Sequence, residues 1–322
     1  MKAENTNKKL RVIFMGTPEF SLPGLKALLN DGFFEITGIF TQPDKPVGRK
    51  QILTPPPVKT IALENNIKVF QPEKIKSETE NIRALAPDLI VVIAYGKIIP
   101  QEILDIPTYG CINVHASLLP KYRGAACLNA PILNGDKETG ITIMKMEAGL
   151  DTGPILKQAV MPLTDKETLA DVHDYLANLG AELLPETLKE WANGKITPQI
   201  QDEAQATYIK TLAKEDGKID WNKSAREIAR QIRAYNPWPG TFCYDKNDKI
   251  TKILKATTAV QEEDNGLQKP LIGQTSLRNG QLTVTCGQGS MIILKLQTEG
   301  GKALPAKDFL SGRQDFIGQI LK

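Results

Sequence analysis

An asparagine, a histidine and an aspartate have the types and the spacing needed for acyl-transfer chemistry. His115 is one of two histidines in the chain, and it stands two residues after Asn113 in an apolar stretch. If residues 111–115 form a strand, both side chains point to the same face of it. Asp151 follows 36 residues after His115, among glycines that let the backbone approach a ligand closely. An amide can hold a developing oxyanion, an imidazole can move protons, and a carboxylate can orient and charge the imidazole.

Each of these residues also has an ordinary structural explanation. A single histidine on an apolar strand is more often a satisfied core residue, and an aspartate in a Gly-Leu-Asp-Thr-Gly segment is often only a turn former. Two further motifs lie between them, Ser-Leu-Leu-Pro at residues 117–120 and Arg-Gly-Ala-Ala at residues 123–126. The whole set, in this order, is far more specific than any member and predicts a catalytic site.

The sequence before this set predicts a parallel α/β sheet that would position it. Short apolar runs predict strands at residues 10–15, 36–40, 68–70 and 89–94. A helix that begins near Thr17 and Pro18 and ends at Asn30 separates the first two strands. This alternation favours a Rossmann-like sheet, in which ligands bind beyond the carboxyl ends of the strands. The first strand-to-helix turn lacks the Gly-x-Gly-x-x-Gly pattern, so a bound dinucleotide is not predicted.

The sequence after the set predicts a second, smaller domain. Strands at residues 141–146 and 155–160 complete the first domain, together with a helix from Glu167 to Ala192 opened by a capping box at Thr164. Beyond a polar segment, a helix capped by Ser224 precedes short strands at residues 241–244, 252–257, 281–286 and 291–296. Such strands predict a small antiparallel barrel. We therefore expect a catalytic domain at residues 1–194, a linker at 195–206 and a C-terminal barrel domain at 207–322.

Composition and charge narrow the classes of protein to which the chain can belong. Hydrophobic residues make up 41% and charged residues 24%, as in globular proteins. No apolar run reaches the roughly 18 residues of a membrane span, and no signal peptide is predicted, so we expect a cytoplasmic protein. The four cysteines lack Cys-x-x-Cys spacing, which disfavours a zinc site and disulfides. Residues 207–322 carry a formal charge of +6 and the rest −3, which suggests a polyanionic partner for the second domain.

A long loop after the second predicted strand is the other informative segment. It runs from Thr41 to Lys59 and contains five prolines and several basic residues, among them Lys45, Arg49 and Lys50. Loops of this length in a compact domain are usually functional, and basic side chains can neutralise phosphates. A stiff, solvated surface loop is the alternative that composition leaves open.

The motifs resemble those of formyltransferases that use 10-formyltetrahydrofolate, which carry an Asn-x-His pair, a Ser-Leu-Leu-Pro turn and a downstream aspartate. The resemblance narrows to the bacterial methionyl-tRNA formyltransferase family and covers essentially the whole chain from Leu10. Besides the motifs above, it rests on the loop and on segments at residues 14–20, 94–96, 219–221 and 236–239.

The resemblance implies transfer of a formyl group from 10-formyltetrahydrofolate to the α-amino group of methionine on initiator tRNA. It implies catalytic roles for Asn113, His115 and Asp151, and no metal. It places folate against Ser117, Leu118, Leu119 and Pro120. It places the acceptor end of the tRNA against Arg49, Lys50 and Lys45, and the tRNA body on an oligonucleotide-binding (OB-like) barrel. We expect a monomer with no membrane partner.

Two positions depart from the family pattern. The family usually has Gly-Arg-Gly-Lys-Lys-Leu in the loop, whereas this chain has Gly-Arg-Lys-Gln-Ile-Leu at residues 48–53. After Arg-Gly-Ala-Ala the family commonly continues with Pro-Ile, whereas this chain has Cys127 and Leu128. Formyl transfer to an amine needs no covalent enzyme intermediate, so we interpret Cys127 as a packing residue and not as a nucleophile.

Two other classes of function remain as alternatives. A formyltransferase acting on glycinamide ribonucleotide or on an amino-sugar nucleotide would share the catalytic set, but it would have little use for the basic loop and the basic C-terminal domain. A non-catalytic tRNA-binding protein would not need Asn113, His115 and Asp151 together.

Overall fold

A computed structural model describes residues 9–48, 50–259 and 270–322 of the protein. Arg49, the basic loop residue expected to contact tRNA, lies outside the described residues. The strands are β1 (Leu10–Gly16), β2 (Phe34–Phe40), β3 (Lys45–Val47), β4 (Ile52–Thr54), β5 (Val69–Phe70), β6 (Leu89–Ile93), β7 (Cys111–His115), β8 (Arg123–Gly124), β9 (Glu138–Lys145), β10 (Ile155–Pro162), β11 (Tyr208–Ile209), β12 (Phe242–Tyr244), β13 (Ile250–Thr258), β14 (Thr275–Arg278), β15 (Gln281–Thr285), β16 (Ser290–Thr298) and β17 (Leu304–Pro305). The α-helices are α1 (Leu22–Asn30), α2 (Pro57–Glu64), α3 (Thr79–Ala84), α4 (Gln101–Leu104), α5 (Ala130–Asn134), α6 (Leu169–Ala192), α7 (Ala225–Tyr235) and α8 (Ala306–Ser311).

The chain divides into two compact units, each built from more than one segment. The first unit consists of residues 1–127, 138–162 and 173–209, and the second of residues 128–137, 163–172 and 210–322. The sequence predicted continuous domains, so the two short segments of the second unit differ from that expectation. The expected linker at 195–206 belongs to the first unit, because its backbone and side chains find partners there. Gln199 exchanges two backbone hydrogen bonds of 2.8 Å with Ile155.

The first unit contains a seven-stranded sheet in the order β10-β9-β7-β6-β1-β2-β5. The five strands from β7 to β5 run parallel, whereas β9 is antiparallel to β7 and β10 to β9. Every residue of β6 is buried, as its continuous branched sequence predicts for a strand covered on both faces. The expected Rossmann-like, mainly parallel sheet is therefore confirmed.

Two helix starts in the sequence prediction were wrong. A 3₁₀ turn occupies Glu19–Ser21 and α1 begins only at Leu22, because the Thr17 hydroxyl donates to the Tyr95 carbonyl at 3.2 Å and does not cap the helix.

The long helix α6 begins at Leu169 and not at Glu167, because two Thr/acid pairs follow each other in the sequence. Thr164 pairs with Glu167 in the preceding loop, through bonds of 2.9 and 2.6 Å. The pair that caps the helix is Thr168 with Asp171, in which the Asp171 carboxylate accepts from the Thr168 N–H at 2.8 Å.

The proline-rich loop contains a short β-hairpin formed by β3 and β4. Its base is fixed by Asp44, whose carboxylate accepts from Lys59 Nζ at 2.8 and 2.9 Å and from Gln71 Nε2 at 2.7 Å. Apolar side chains of the hairpin are exposed, including Ile52 at 61% and Leu53 at 64%. The hairpin therefore presents apolar and basic groups together.

The second unit contains an antiparallel sheet in the order β12-β13-β16-β15-β14, with β17 on β16. Helix α7 begins at the predicted capping box, in which Ser224 Oγ accepts from the Glu227 N–H. Its apolar residues Ile228 and Ile232 are buried in one cluster with residues of the sheet, among them Leu296. The expected antiparallel C-terminal domain is confirmed, although the sequence did not predict β14 and β17. Within residues 9–48, 50–259 and 270–322, none of the helices has the length and apolar character needed to cross a membrane.

Candidate active site

Strand β7 carries two of the three predicted catalytic residues into the interior of the sheet. It pairs with β6 on one side, where Val92 lies opposite Asn113, and with β9 on the other, where Thr142 lies opposite His115. Asn113 and His115 therefore project from the same face at the carboxyl end of β7. Asn113 is half-buried, and its side-chain amide forms no hydrogen bond with any residue that the structure describes. An amide with free donors at this place is available to a ligand.

The imidazole of His115 is held in one orientation by a backbone carbonyl. Its Nε2 lies 3.1 Å from the Tyr122 carbonyl oxygen, which can only accept, so Nε2 carries a proton. The other ring nitrogen, Nδ1, faces Asp151, with 3.7 Å between Nδ1 and Oδ2. This distance is longer than a hydrogen bond but short enough for strong attraction between an imidazolium and a carboxylate. Nδ1 is therefore the nitrogen that remains for a reacting group.

The surroundings of His115 favour its charged form. The side chain is buried, which by itself lowers the pKa of the imidazole because the cation loses water. Cys127, the Asp151 carboxylate and the Tyr122 carbonyl act in the opposite direction and raise the pKa to about 9. At neutral pH His115 is consequently an imidazolium, which donates a stronger hydrogen bond than the neutral ring. Cys127 thus lies beside His115, where the sequence predicted only a packing residue.

Hydrogen bonds fix both the side chain and the backbone of Asp151. Its carboxylate Oδ2 accepts from the Gly124 N–H at 2.8 Å, and its backbone carbonyl accepts from Gln201 Nε2 at 2.8 Å. The residue has φ +54°, a left-handed conformation that is uncommon for residues other than glycine. Close by, a Cβ added to Gly153 would overlap the Lys145 carbonyl oxygen, which explains one glycine of the motif. The glycine-rich turn therefore serves to bring the carboxylate against His115.

The predicted folate residues form a turn directly after His115. Ser117 is fully buried, and its hydroxyl donates to the Lys121 carbonyl at 2.6 Å, so this side chain is used within the turn. Thr142 Oγ1 donates to the Ser117 carbonyl at 2.6 Å and accepts from the Leu119 N–H at 3.0 Å. Leu119 is buried, whereas Leu118 and Pro120 are only partly covered. What the turn can offer to a ligand is its backbone and these two partly covered side chains.

The predicted nucleic-acid residues lie on the hairpin. Lys45 opens β3 and Lys50 stands in the turn between β3 and β4, and both are exposed. Lys45 Nζ donates to Gln42 Oε1 at 2.9 Å, and Gln42 Nε2 donates to the Tyr95 carbonyl at 3.1 Å. These bonds connect the base of the hairpin to the loop that follows β6, at the same edge of the sheet as the end of β7.

Several groups that complete this site had no sequence signal. The Tyr122 carbonyl and the Gly124 N–H are backbone groups, so their residue types say little about them. Gln201 lies in the segment that its polar composition marked as a linker. Arg123 was quoted as part of a motif, but the motif does not reveal that its guanidinium reaches Gln201. The arrangement as a whole supplies a free amide, an imidazolium and a carboxylate, which together suit the stabilisation of an oxyanion during acyl transfer.

Comparison with known proteins gives a consistent assignment for both parts of the chain. The family described as "Formyl transferase" matches residues 8–188, and the one described as "Formyl transferase, C-terminal domain" matches residues 211–314. A methionyl-tRNA formyltransferase of Citrifermentans bemidjiense is 48% identical over 97% of this chain and 96% of that protein. A methionyl-tRNA formyltransferase of Caldanaerobacter subterraneus is 46% identical over 97% of this chain and all (100%) of that protein.

Solved structures with the same fold include an N-formyltransferase of Helicobacter canadensis in complex with folinic acid and dTDP-3-aminofucose. It superposes with a TM-score of 0.66 at 21% sequence identity, over 88% of this chain and 98% of that one. At this identity the likeness concerns the fold alone.

Proposed function

The chain belongs to the methionyl-tRNA formyltransferase family, and we propose that it transfers the formyl group of 10-formyltetrahydrofolate to the α-amino group of methionine on initiator tRNA. The observation that carries the proposal for its site is the trio at the end of β7. There the Asn113 amide, which has no hydrogen-bond partner among the described residues, lies on the same strand face as His115, whose Nδ1 is 3.7 Å from the Asp151 carboxylate. This set stabilises negative charge on a carbonyl oxygen, which is what formyl transfer to an amine requires.

The chemistry begins with a neutral amine. A free α-amino group has a pKa of about 7.7–8.0, so part of it is already deprotonated near neutral pH. Its nitrogen attacks the formyl carbon and produces a tetrahedral intermediate with an oxyanion. We assign the Asn113 amide and the His115 Nδ1–H as donors to this oxyanion, and each good donor of this kind is worth about 3–4 kcal/mol in the transition state.

Collapse of the intermediate breaks the bond between the formyl carbon and N10 of the folate, and the electron pair goes to N10. One proton leaves the attacking nitrogen and one is added to N10, so the transfer from the neutral amine neither consumes nor releases protons. In our proposal His115 is the group that donates a proton and recovers it. The proton that leaves the attacking nitrogen restores the imidazolium after each turnover, and the Asp151 carboxylate stabilises this charged form in its buried place.

The binding surfaces follow from the parts of the structure that surround this trio. We propose that folate lies against the turn of residues 117–120, where Ser117 acts by fixing the turn and not through its hydroxyl. Leu118 and Pro120 provide the apolar wall, and the buried Leu119 anchors the turn. Lys45, Arg49 and Lys50 contact the acceptor end of the tRNA, and the second unit binds the tRNA body through its excess of positive charge. We also propose that the protein works in the cytoplasm as a monomer, because translation initiation takes place there and nothing in the trio needs a second chain.

A formylation assay tests the function. Purified protein is given 10-formyltetrahydrofolate and either methionyl initiator tRNA or a dTDP-linked amino sugar, and formylated product is measured. We expect formylation of the tRNA and little of the sugar nucleotide. His115→Ala should be inactive, whereas His173→Ala, which removes the other histidine of the chain, should retain activity. Formylation of the sugar nucleotide without formylation of the tRNA would contradict the proposed acceptor.

A further inference from the structure

Arg123 is a buried cation in which every donor has a partner. Its side chain has 0% exposure. Nε and Nη2 donate to Gln201 Oε1 at 3.1 and 2.9 Å, and Nη1 and Nη2 donate to the two Glu203 carboxylate oxygens at 2.9 and 2.6 Å. Nη1 also donates to the Tyr208 hydroxyl at 2.8 Å. A guanidinium has five N–H groups, and these bonds use all of them, so the side chain has a single well-defined orientation.

The orientation of Arg123 fixes the orientation of Gln201. A guanidinium donates only, so the amide oxygen of Gln201 must face it and the amide nitrogen must point away. The two hydrogens of that nitrogen go to the Asp151 carbonyl at 2.8 Å and the Gly153 carbonyl at 2.7 Å. A flipped amide would bring its NH₂ group against the guanidinium and its oxygen against two carbonyls. The position of the Asp151 backbone is therefore coupled to the buried charge of Arg123.

The same segment holds the partner groups of the catalytic pair. Strand β8, which contains Arg123, provides the Gly124 N–H to the Asp151 carboxylate, and the preceding Tyr122 carbonyl accepts from His115. Strand β8 is itself paired with β11, and the Arg123 N–H donates to the Thr207 carbonyl at 2.9 Å. Residues 201–209 thus support both members of the pair. The left-handed backbone of Asp151 costs about 1–3 kcal/mol, so it persists only where neighbouring groups enforce it.

We propose that Gln201, oriented by the buried guanidinium of Arg123, is a positioning residue that holds the Asp151 carboxylate in place against His115. Gln201 touches no reacting atom in this arrangement and acts through the backbone of the Asp151 turn. The inference rests on the proposed function, since it assigns a role within the same site. It also makes the segment at residues 195–206 a working part of the catalytic unit.

Two variants separate this role from general stability. Gln201→Glu keeps an acceptor for Arg123 but replaces the donor NH₂ by an oxygen that faces two carbonyls. Gln201→Met has similar length and no charge, and it removes every hydrogen bond. The matched control is Gln199→Glu, which makes the same substitution two residues away on an exposed side chain.

Each Gln201 variant is expected to lower kcat by about 10- to 100-fold, the scale that follows from misplacing a catalytic group by a fraction of an ångström to one ångström. The KM values for Met-tRNA and for the folate should change by less than about threefold, because neither substrate contacts Gln201. Gln199→Glu should match wild type in all three constants. A kcat within about twofold of wild type in a folded Gln201 variant would overturn the proposal.

A second readout does not depend on activity. The chain has two histidines, so the His115 ring can be followed by NMR through a pH titration, with His173→Gln to assign the signals. The titratable groups that face His115 are Asp151 and Cys127, and Gln201→Met changes neither. A displaced carboxylate should lower the pKa of His115 in Gln201→Met relative to wild type.

The two readouts distinguish the two proposals. An unchanged titration of His115 in Gln201→Met would overturn the positioning role, even if the variant lost activity. Wild-type protein that fails to formylate Met-tRNA, together with a shifted titration, would overturn the proposed function and leave the positioning role intact.

Discussion

Replacing Asp151 by Asn removes the anion that faces His115 and nearly preserves the shape of the side chain. At the observed 3.7 Å, two unit charges attract each other by about 4 kcal/mol if the effective dielectric constant is about 20. If relaxation and solvent leave half of this, about 2 kcal/mol, the proton affinity of His115 falls roughly 30-fold, since 1.36 kcal/mol corresponds to a factor of ten. Burial and Cys127 are unchanged, so the whole difference is assigned to the carboxylate.

The consequence depends on pH in a defined direction. With the pKa of His115 raised to about 9 by Cys127 and Asp151 against the effect of burial, wild type still carries mostly imidazolium at pH 8.5. The variant would carry about a tenth as much there, whereas both proteins would be charged at pH 6.5. We therefore expect the ratio of wild-type to variant kcat to be several-fold larger at pH 8.5 than at pH 6.5. The amine substrate titrates identically in both reactions, so its ionisation cancels from the ratio.

The pH dependence of the free energy of unfolding provides a second check. The pKa of folded His115 lies above the ordinary value of about 6.5 for an unfolded chain. Its protonation therefore stabilises the folded state fully below about pH 6.5, and this contribution is lost as the pH rises through about 9. Asp151→Asn should reduce the free energy of unfolding at pH 6 more than at pH 9.

The control is Asp174→Asn, which removes the carboxylate that lies 2.9 Å from the ring of the other histidine. Asp174 is exposed, and this variant should follow wild type in kcat at both pH values. A wild-type to variant ratio for Asp151→Asn that is independent of pH, or that grows toward low pH, would refute the reasoning. It would mean that Asp151 acts on His115 by shape alone.

The remaining predictions concern other parts of the molecule. Asn113→Ala should lower kcat by about 100-fold with little change in substrate affinity, because it removes one oxyanion donor; single-turnover formylation measures it. Arg49→Ala should reduce kcat/KM for Met-tRNA far more than it reduces folate affinity. The loss in kcat/KM should correspond to roughly 2–5 kcal/mol if the contact with tRNA is buried, and to less if it lies at the rim of the interface. Equal losses in both quantities would assign the loop to the folate pocket. Met-tRNA affinity should fall steeply with salt if the positive second unit binds phosphates, and filter binding at several salt concentrations tests this. Partial burial by itself raises the pKa of Asp165, but the ion pairs with Arg230, Arg226 and Arg233 lower it to about 2. Asp165→Asn should therefore reduce stability at pH 7 by about 1–2 kcal/mol. This contribution is lost as the pH falls from about 4 toward 2, so the difference in thermal unfolding should shrink over that range.

The sequence predicted the elements whose signals are local and strong. Strand β7 has the bounds expected for it, and the buried β6 and the capping box of α7 follow directly from branched runs and from Ser224 with Glu227. The start of α6 was missed because Thr164/Glu167 and Thr168/Asp171 are equally good local signals. Only the folded chain shows which pair caps the helix. The order of strands along the sheet likewise depends on long-range pairing that no local pattern specifies.

Only part of the candidate site could be predicted from the sequence, for a related reason. Reactive side chains have recognisable types, so the trio could be named from its motifs. The groups that orient the trio are backbone atoms of Tyr122 and Gly124 and a glutamine 50 residues after Asp151. A backbone carbonyl is present at every residue, and a polar residue in a polar segment is unremarkable. Gln201 is distinguished by its burial and by its contact with Arg123, and only the structure shows these two features.

The geometry also defines the role of His115 more closely than the sequence does. A histidine beside an amine substrate invites assignment as the base that deprotonates the nucleophile. Burial by itself lowers the pKa of His115, but Cys127, the Asp151 carboxylate and the Tyr122 carbonyl raise this pKa and hold the imidazole in its acid form at neutral pH. The nucleophile does not need that base, because roughly a quarter to two-fifths of a free α-amine with a pKa of about 7.7–8.0 is already neutral at pH 7.5. The larger demand arises after attack, when negative charge appears on the formyl oxygen and N10 must leave with a proton. An imidazolium meets both demands, and the nearby carboxylate keeps it charged between turnovers. Asp151 therefore matters because, together with Cys127, it keeps His115 an acid.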